Sequence, residues 1–140
     1  MNFAAQMRIG SLEISAALMA VAAIAVIPRR RIASEIGAIA PMRVRFRAIE
    51  FGTPRSLEAV CPIVVGRSPE AGLVLADSEV SRRHARFETE RGTVFVRDLQ
   101  SRNGTFLNGR RLHDAIEVRV GDAIDVGTTR LVVEDISPWT

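Results

Sequence analysis

The sequence has no lysine and no tyrosine, and only one tryptophan, one cysteine and two histidines in 140 residues. Without lysine, all 19 basic side chains are arginines. Arginine titrates so high that a small excess of it drives the pI to about 10.8, although the formal net charge is only +3. From Met42 onward 15 arginines face 14 acids, so that region is nearly neutral and demands no polyanionic partner. The scarcity of aromatics removes the side chains on which unpaired bases stack. A nucleic-acid reading is left with an arginine stripe of Arg43, Arg45, Arg47 and Arg119 and little else. The single Cys61 has no partner for an internal disulfide and no companion cysteine for a zinc site. Lying beside Pro62 in an apolar run, it reads as a buried, inert thiol. No metal and no cofactor are expected.

What is present is the balance of a folded globular chain, with 47% hydrophobic and 25% charged residues. The length suits one domain with an extension, and is short for two. The core has to be built from Val, Ile, Leu, Ala and Phe.

Two regions differ in pattern. In the second, Arg43, Arg45 and Arg47 alternate with Met42, Val44, Phe46 and Ala48, the period-two signature of a strand with one wet face. Similar runs follow at Ile63 to Val65, Leu73 to Leu75, His84 to Glu88, Val94 to Leu99, Ile116 to Val120, Ala123 to Val126 and Arg130 to Asp135. Turn chemistry separates them at Glu90-Arg91-Gly92, Asn103-Gly104, Asn108-Gly109 and Gly121-Asp122. Many short strands at this spacing predict an all-β sandwich. The expected organisation is an N-terminal extension over 1–41, a domain over 42–136 and a short tail over 137–140.

Within the extension, the uncharged run from Ile14 to Ile27 is followed by Pro28 and the cluster Arg29-Arg30-Arg31. As a helix it would be about 21 Å long, short of the roughly 30 Å hydrocarbon core of a bilayer. Starting at Ile9 nearly reaches that length, but buries Glu13. A membrane association through residues 9–27 is therefore one reading; the arginine cluster would then hold the domain on the cytoplasmic side. A helix loosely attached to the domain, or a segment created by the choice of start site, is the other. A cleaved signal peptide fits worse, because the basic cluster lies on the wrong side of the apolar run.

Four short signals recur in order along the domain: Gly66-Arg67, Ser81-Arg82-Arg83-His84, Ser101-Arg102-Asn103-Gly104-Thr105 and Asn108-Gly109. Each alone is common. Together they offer cationic forks, a hydroxyl and an amide on glycine-bounded loops, a set suited to a phosphomonoester with its three acceptor oxygens. Ser81, His84 and Asp98 also invite a nucleophilic-triad reading, but no nucleophile elbow surrounds Ser81 and no oxyanion hole is evident.

In these motifs the chain resembles the forkhead-associated (FHA) domains, which bind phosphothreonine. The resemblance runs from about Met42 to Ile136 and is densest in VVGRSPEAGLVLADSEVSRRHARF and DLQSRNGTFLNGRRL. It implies two packed, mostly antiparallel sheets, a SMAD/FHA-like sandwich with binding loops at one end. It also implies roles: Arg67 and Ser81 on the phosphate, Arg83 as a second cation, Asn103 on the peptide main chain, and His84 holding the loop from a buried position. Neighbours in an extended loop point to opposite sides, which would put Arg83 rather than Arg82 on the side of Ser81. Gly66, Gly104, Asn108 and Gly109 are expected to support the loops as narrow exits and turns. Two positions depart from the family pattern. Gln100 stands where glycine is common, and Arg102 stands where a threonine often touches the phosphate.

The expected function is recognition without catalysis. A phosphothreonine-containing protein or peptide, marked in a Ser/Thr kinase pathway, would dock on a cytoplasmic signalling adaptor, with no nucleic acid involved. The alternatives are a degenerate member that binds partners independently of phosphate, and the nucleic-acid reading above.

Overall fold

The structure is a computed structural model and describes residues 40–140. The apolar run 14–27, the wider segment 9–27 and the arginine cluster 29–31 lie outside the described residues. Among the described residues no helix is long and apolar enough to cross a membrane.

Eleven strands follow one another: β1 (Met42–Glu50), β2 (Thr53–Cys61), β3 (Ile63–Gly66), β4 (Leu73–Val74), β5 (Ala85–Glu90), β6 (Thr93–Asp98), β7 (Thr105–Leu107), β8 (Arg110–Arg111), β9 (Ile116–Glu117), β10 (Ala123–Val126) and β11 (Thr129–Pro138). They form two sheets, one ordered β2-β1-β11-β10-β7-β8 and the other β4-β3-β5-β6-β9. Every pairing is antiparallel except β3 with β4. The expected all-β sandwich is the fold.

The alternation in β1 sorts side chains as the period predicts. Val44, Phe46 and Ala48 are fully buried, while Arg45 and Arg47 stay in solvent. Phe46 meets Phe87 of the opposite sheet with ring centroids 5.1 Å apart and planes tilted by 52°, a favoured aromatic geometry. Around this pair, Leu75, Ile124, Leu131, Val65 and Val96 are excluded from water. Each such side chain contributes about 1.5–3 kcal/mol on burial.

A bulge interrupts the β1–β11 pairing between Arg45 and Phe46, whose partners are Asp135 and Val133. Glu134 is the extra residue. Its carboxylate meets both Arg45 at 3.8 Å and Arg47 at 3.9 Å, and Arg43 pairs with Glu58 at 3.2 Å. The arginine stripe of β1 is thus matched by acids on its two neighbours, which argues against a phosphate-backbone surface there.

Three segments differ from the sequence-based reading. Strand β2 was not anticipated. It is a polar edge strand whose exposed first half, with Pro54 and Arg55, lacks apolar alternation. The run from Ile116 to Val120 is strand only at Ile116–Glu117. At the C-terminus β11 continues through Ser137 and Pro138, which pair with Arg43 and Met42, two residues beyond the anticipated end of the domain.

Strand pairing puts the connections β1–β2, β3–β4, β4–β5, β6–β7 and β10–β11 at one end of the sandwich. Pro41 and Trp139 lie together at the opposite end, where the Trp139 N–H donates to the Pro41 carbonyl at 3.1 Å.

Candidate functional site

The loop end is organised around the short segment Glu79-Val80-Ser81 in the β4–β5 connection. From one side the β3–β4 loop grips it. The Arg67 N–H donates to the Ser81 carbonyl at 3.0 Å, and Arg67 Nε donates to the Val80 carbonyl at 3.2 Å. Spending Nε on the backbone aims the guanidinium and leaves the four hydrogens of its two terminal nitrogens for other acceptors. From the other side comes the β6–β7 loop. The Arg102 N–H donates to Ser81 Oγ at 3.0 Å, and Asn103 Nδ2 donates to the Glu79 carbonyl at 2.8 Å and to a Glu79 carboxylate oxygen at 3.0 Å.

Gly66 makes this closeness possible. A Cβ built on it would lie 2.0 Å from the Arg82 carbonyl oxygen, far inside van der Waals contact, so any side chain there would push the β4–β5 connection away from β3. The expected role as a narrow exit has this physical cause.

His84 is fully buried. Its Nδ1 accepts the Ser81 backbone N–H at 3.0 Å, and its Nε2 lies 2.8 Å from the Gly104 carbonyl. An acceptor on one side and a carbonyl on the other require the neutral tautomer with the proton on Nε2. The ring therefore bolts the β4–β5 loop to the β6–β7 loop. Because Nδ1 accepts from the main chain of Ser81 and not from its hydroxyl, Ser81 and His84 do not form a nucleophile–base pair. Asp98 is occupied elsewhere as well, accepting from the Ser101 hydroxyl and N–H and from the Thr105 hydroxyl. Burial pushes its carboxyl up, but these hydrogen bonds outweigh burial and hold it below the usual carboxylate range.

A second carboxylate, the buried Asp77, joins the two sheets at this end. It accepts from the Glu79 N–H at 2.9 Å, from the Thr128 N–H and hydroxyl at 2.9 and 2.7 Å, and from the Thr129 hydroxyl at 2.9 Å. Burial raises its pKa and the four hydrogen bonds more than reverse this, leaving it lowered. No motif marked this residue in the sequence. Its only signal was an Asp two positions before Glu79 in a loop rich in polar residues.

Of the residues expected in the site, Arg67, Ser81, Arg102 and Asn103 converge directly on the 79–81 segment. Arg83 is exposed, and the chain bends at Arg82 and Arg83 instead of running extended, so the alternation argument does not decide which of the two faces Ser81. Arg102 contributes its backbone N–H while its side chain remains exposed. Asn108 and Gly109 have φ of 50° and 82°, the two-residue turn that Asn-Gly favours between β7 and β8. This turn lies at the far end, where Asn108 Nδ2 donates to Asp122 at 2.9 Å and its Oδ1 accepts the Ala123 N–H at 2.9 Å. Gln100 adopts φ of 54°, the left-handed conformation that explains why glycine suits this position. Among the described residues no cluster of His, Cys, Asp and Glu could hold a metal ion.

In this two-sheet sandwich with three interlocked loops at one end, carrying Gly-Arg, Ser-x-x-His and Asn-Gly at these positions, residues 63–127 match the family model described as "FHA domain". The chain is 36% identical over 70 residues to the FHA domain-containing protein FhaB of Mycobacterium tuberculosis, covering 50% of this chain and 45% of that one. It is 45% identical over 67 residues to the oxoglutarate dehydrogenase inhibitor of Corynebacterium glutamicum, covering 48% and 46%. The matched stretches thus span less than half the length of these curated relatives. In fold, the chain is similar to Mycobacterium tuberculosis EmbR solved in complex with a low affinity phosphopeptide, with a TM-score of 0.58 at 27% identity over 90% of this chain and 32% of that one.

Proposed function

We propose that this FHA domain is a non-catalytic module that binds a phosphothreonine-containing protein or peptide, as a cytoplasmic adaptor reading a mark written by a Ser/Thr kinase. The observation that carries the proposal is the convergence of Arg67, Ser81, Arg102 and Asn103 from three loops on the segment Glu79-Val80-Ser81, with the terminal nitrogens of Arg67 unspent. Arg67 and Ser81 hold the phosphate in this reading, Arg83 and Arg102 add positive charge, and Asn103 takes the peptide main chain. Gly66, His84 and Gly104 support them, whereas Asn108 and Gly109, expected to do so, form a turn at the far end. The relatives agree in kind: one is named an inhibitor of another protein, and EmbR has been solved with a phosphopeptide.

Charge-assisted hydrogen bonds of this type contribute about 1.5–3 kcal/mol each, and about 1.4 kcal/mol is a factor of ten in affinity. Titrating the full chain with a phosphothreonine peptide and its dephosphorylated twin tests the reading. Only the phosphorylated form is expected to bind, and Arg67→Ala to weaken it by about ten- to a hundredfold. Equal affinity for the two peptides would overturn it.

One feature favours the phosphate-independent reading. Asn103 Nδ2 is already engaged by Glu79, so a peptide that uses this donor has to displace an internal partner. An Arg67→Ala protein that captures the same partners as the unaltered chain would support that alternative.

A further inference from the structure

Asn103 is assigned to the peptide main chain above, yet its amide already has a partner for each of its hydrogens. Nδ2 carries two. It donates to the Glu79 carbonyl at 2.8 Å and to a Glu79 carboxylate oxygen at 3.0 Å. A single residue thus engages both, once through its main chain and once through its side chain.

The two bonds differ in how they can open. The main chain at Glu79 is fixed from three sides. Its N–H donates to Asp77 Oδ1 at 2.9 Å, its carbonyl accepts from Asn103, and Gly127 packs so closely that a Cβ there would lie 2.9 Å from the Glu79 carbonyl carbon. Just beyond, Arg67 holds the carbonyls of Val80 and Ser81. The side chain has no such restraint. Glu79 is exposed, and among the described residues its carboxylate forms no ion pair, only the bond from Asn103. Rotation of this one side chain frees the second hydrogen of Asn103 and leaves the interlocked loops in place.

We infer that the Glu79 carboxylate is a latch on the binding site: it stands in for a main-chain carbonyl of the ligand on Asn103 Nδ2, and it swings out before a phosphothreonine segment is gripped. This rests on the phosphothreonine reading above and adds that the free domain carries its own competitor. The competitor is itself an anion, two residues from Ser81, in a site for a phosphomonoester of about −1.5 to −2 charges. A closed latch therefore opposes the ligand twice, by occupying a donor and by repelling charge. Salt screens the repulsion; it does not free the donor. One net hydrogen bond corresponds to about two- to tenfold in affinity, and that is the gain expected when the latch is removed.

The test is calorimetric titration of the full chain, Glu79→Gln and Glu79→Ala with one phosphothreonine peptide of neutral flanks, at low and at high salt. Glutamine keeps an acceptor for Asn103 and loses the charge, whereas alanine loses both. The expected result is that Glu79→Ala binds about two- to tenfold tighter and keeps most of that gain at high salt, while the gain in Glu79→Gln is smaller and fades. Equal gains in both variants that vanish at high salt would reduce Glu79 to a source of repulsion and overturn the latch, as would unchanged or weaker binding in Glu79→Ala; both outcomes leave the phosphothreonine reading intact. Binding by Glu79→Ala alone supports the latch. Failure of all three proteins to bind any phosphopeptide overturns the phosphothreonine reading and the latch with it. The bond itself is read without ligand: the Asn103 side-chain amide signals in a nitrogen–proton NMR spectrum should move in Glu79→Ala and stay put in Glu90→Ala, at the end of β5 away from the loops. Signals indifferent to Glu79→Ala would show that no latch is closed.

Discussion

Ser81 Oγ accepts the backbone N–H of Arg102 at 3.0 Å, across 21 positions of sequence. A hydroxyl has two acceptor lone pairs and one hydrogen, so this bond uses Ser81 as an acceptor and leaves its proton to donate outward. The same atom that would meet a phosphate oxygen also closes the joint between two loops.

Ser81→Ala is therefore expected to act on both properties at once. Losing one net hydrogen bond should cost about 1 kcal/mol of stability, read from urea unfolding. Affinity for a phosphothreonine peptide should fall by about tenfold or more, read by titration. A variant with unchanged affinity would remove Ser81 from the proposed site.

Gln100 holds φ of 54° without the freedom of glycine. Replacing it with glycine relieves strain in the folded state and adds entropy to the unfolded one. The left-handed conformation costs a residue with a Cβ about 1–2 kcal/mol, so Gln100→Gly should stabilise the domain by about 0.5–1 kcal/mol. A rise in melting temperature checks this, and a fall would show that the Gln100 side chain contributes more than its backbone costs.

Hydrogen bonds hold the carboxyls of Asp77 and Asp98 below the usual carboxylate range in the folded protein. Between the depressed folded values and that of the unfolded chain, the unfolded state binds more protons, so stability rises with pH in that window. The contribution is complete above about pH 4–5 and is lost as pH falls through the folded values. Unfolding measured at neutral pH and near pH 3 should show a drop that is smaller in Asp77→Asn and Asp98→Asn, because those variants have already lost the charge. An equal drop in all three proteins would assign the acid sensitivity elsewhere.

Burial pushes the Cys61 thiol up to about 12, and no part of the residue reaches solvent. Only the thiolate attacks alkylating reagents readily. Iodoacetamide at neutral pH should therefore leave the native protein unmodified and label it once it is denatured, as mass spectrometry would report.

The sandwich was legible wherever a strand has one wet face, as in β1 with its Val44, Phe46 and Ala48. It was illegible at β2, since the solvent-exposed start of an edge strand is under no demand to alternate. The motifs containing Ser81, Arg102 and Asn103 could be read off the chain, because each pairs a turn-forming glycine or a buried His84 with polar side chains at short range. Contacts across long stretches could not. Nothing local tells that Asn103 meets Glu79 or that Asp77 collects Thr128 and Thr129. Those pairings depend on strand register, which is an outcome of packing the whole sandwich.

The hydrogen bond from Trp139 to Pro41 brings the first and last strands of the domain to the pole away from the loops. A tag, a resin linkage or a neighbouring domain attached beyond Trp139 would leave the opposite face of the sandwich unobstructed, so the domain can be displayed on a surface with its mouth pointing outward.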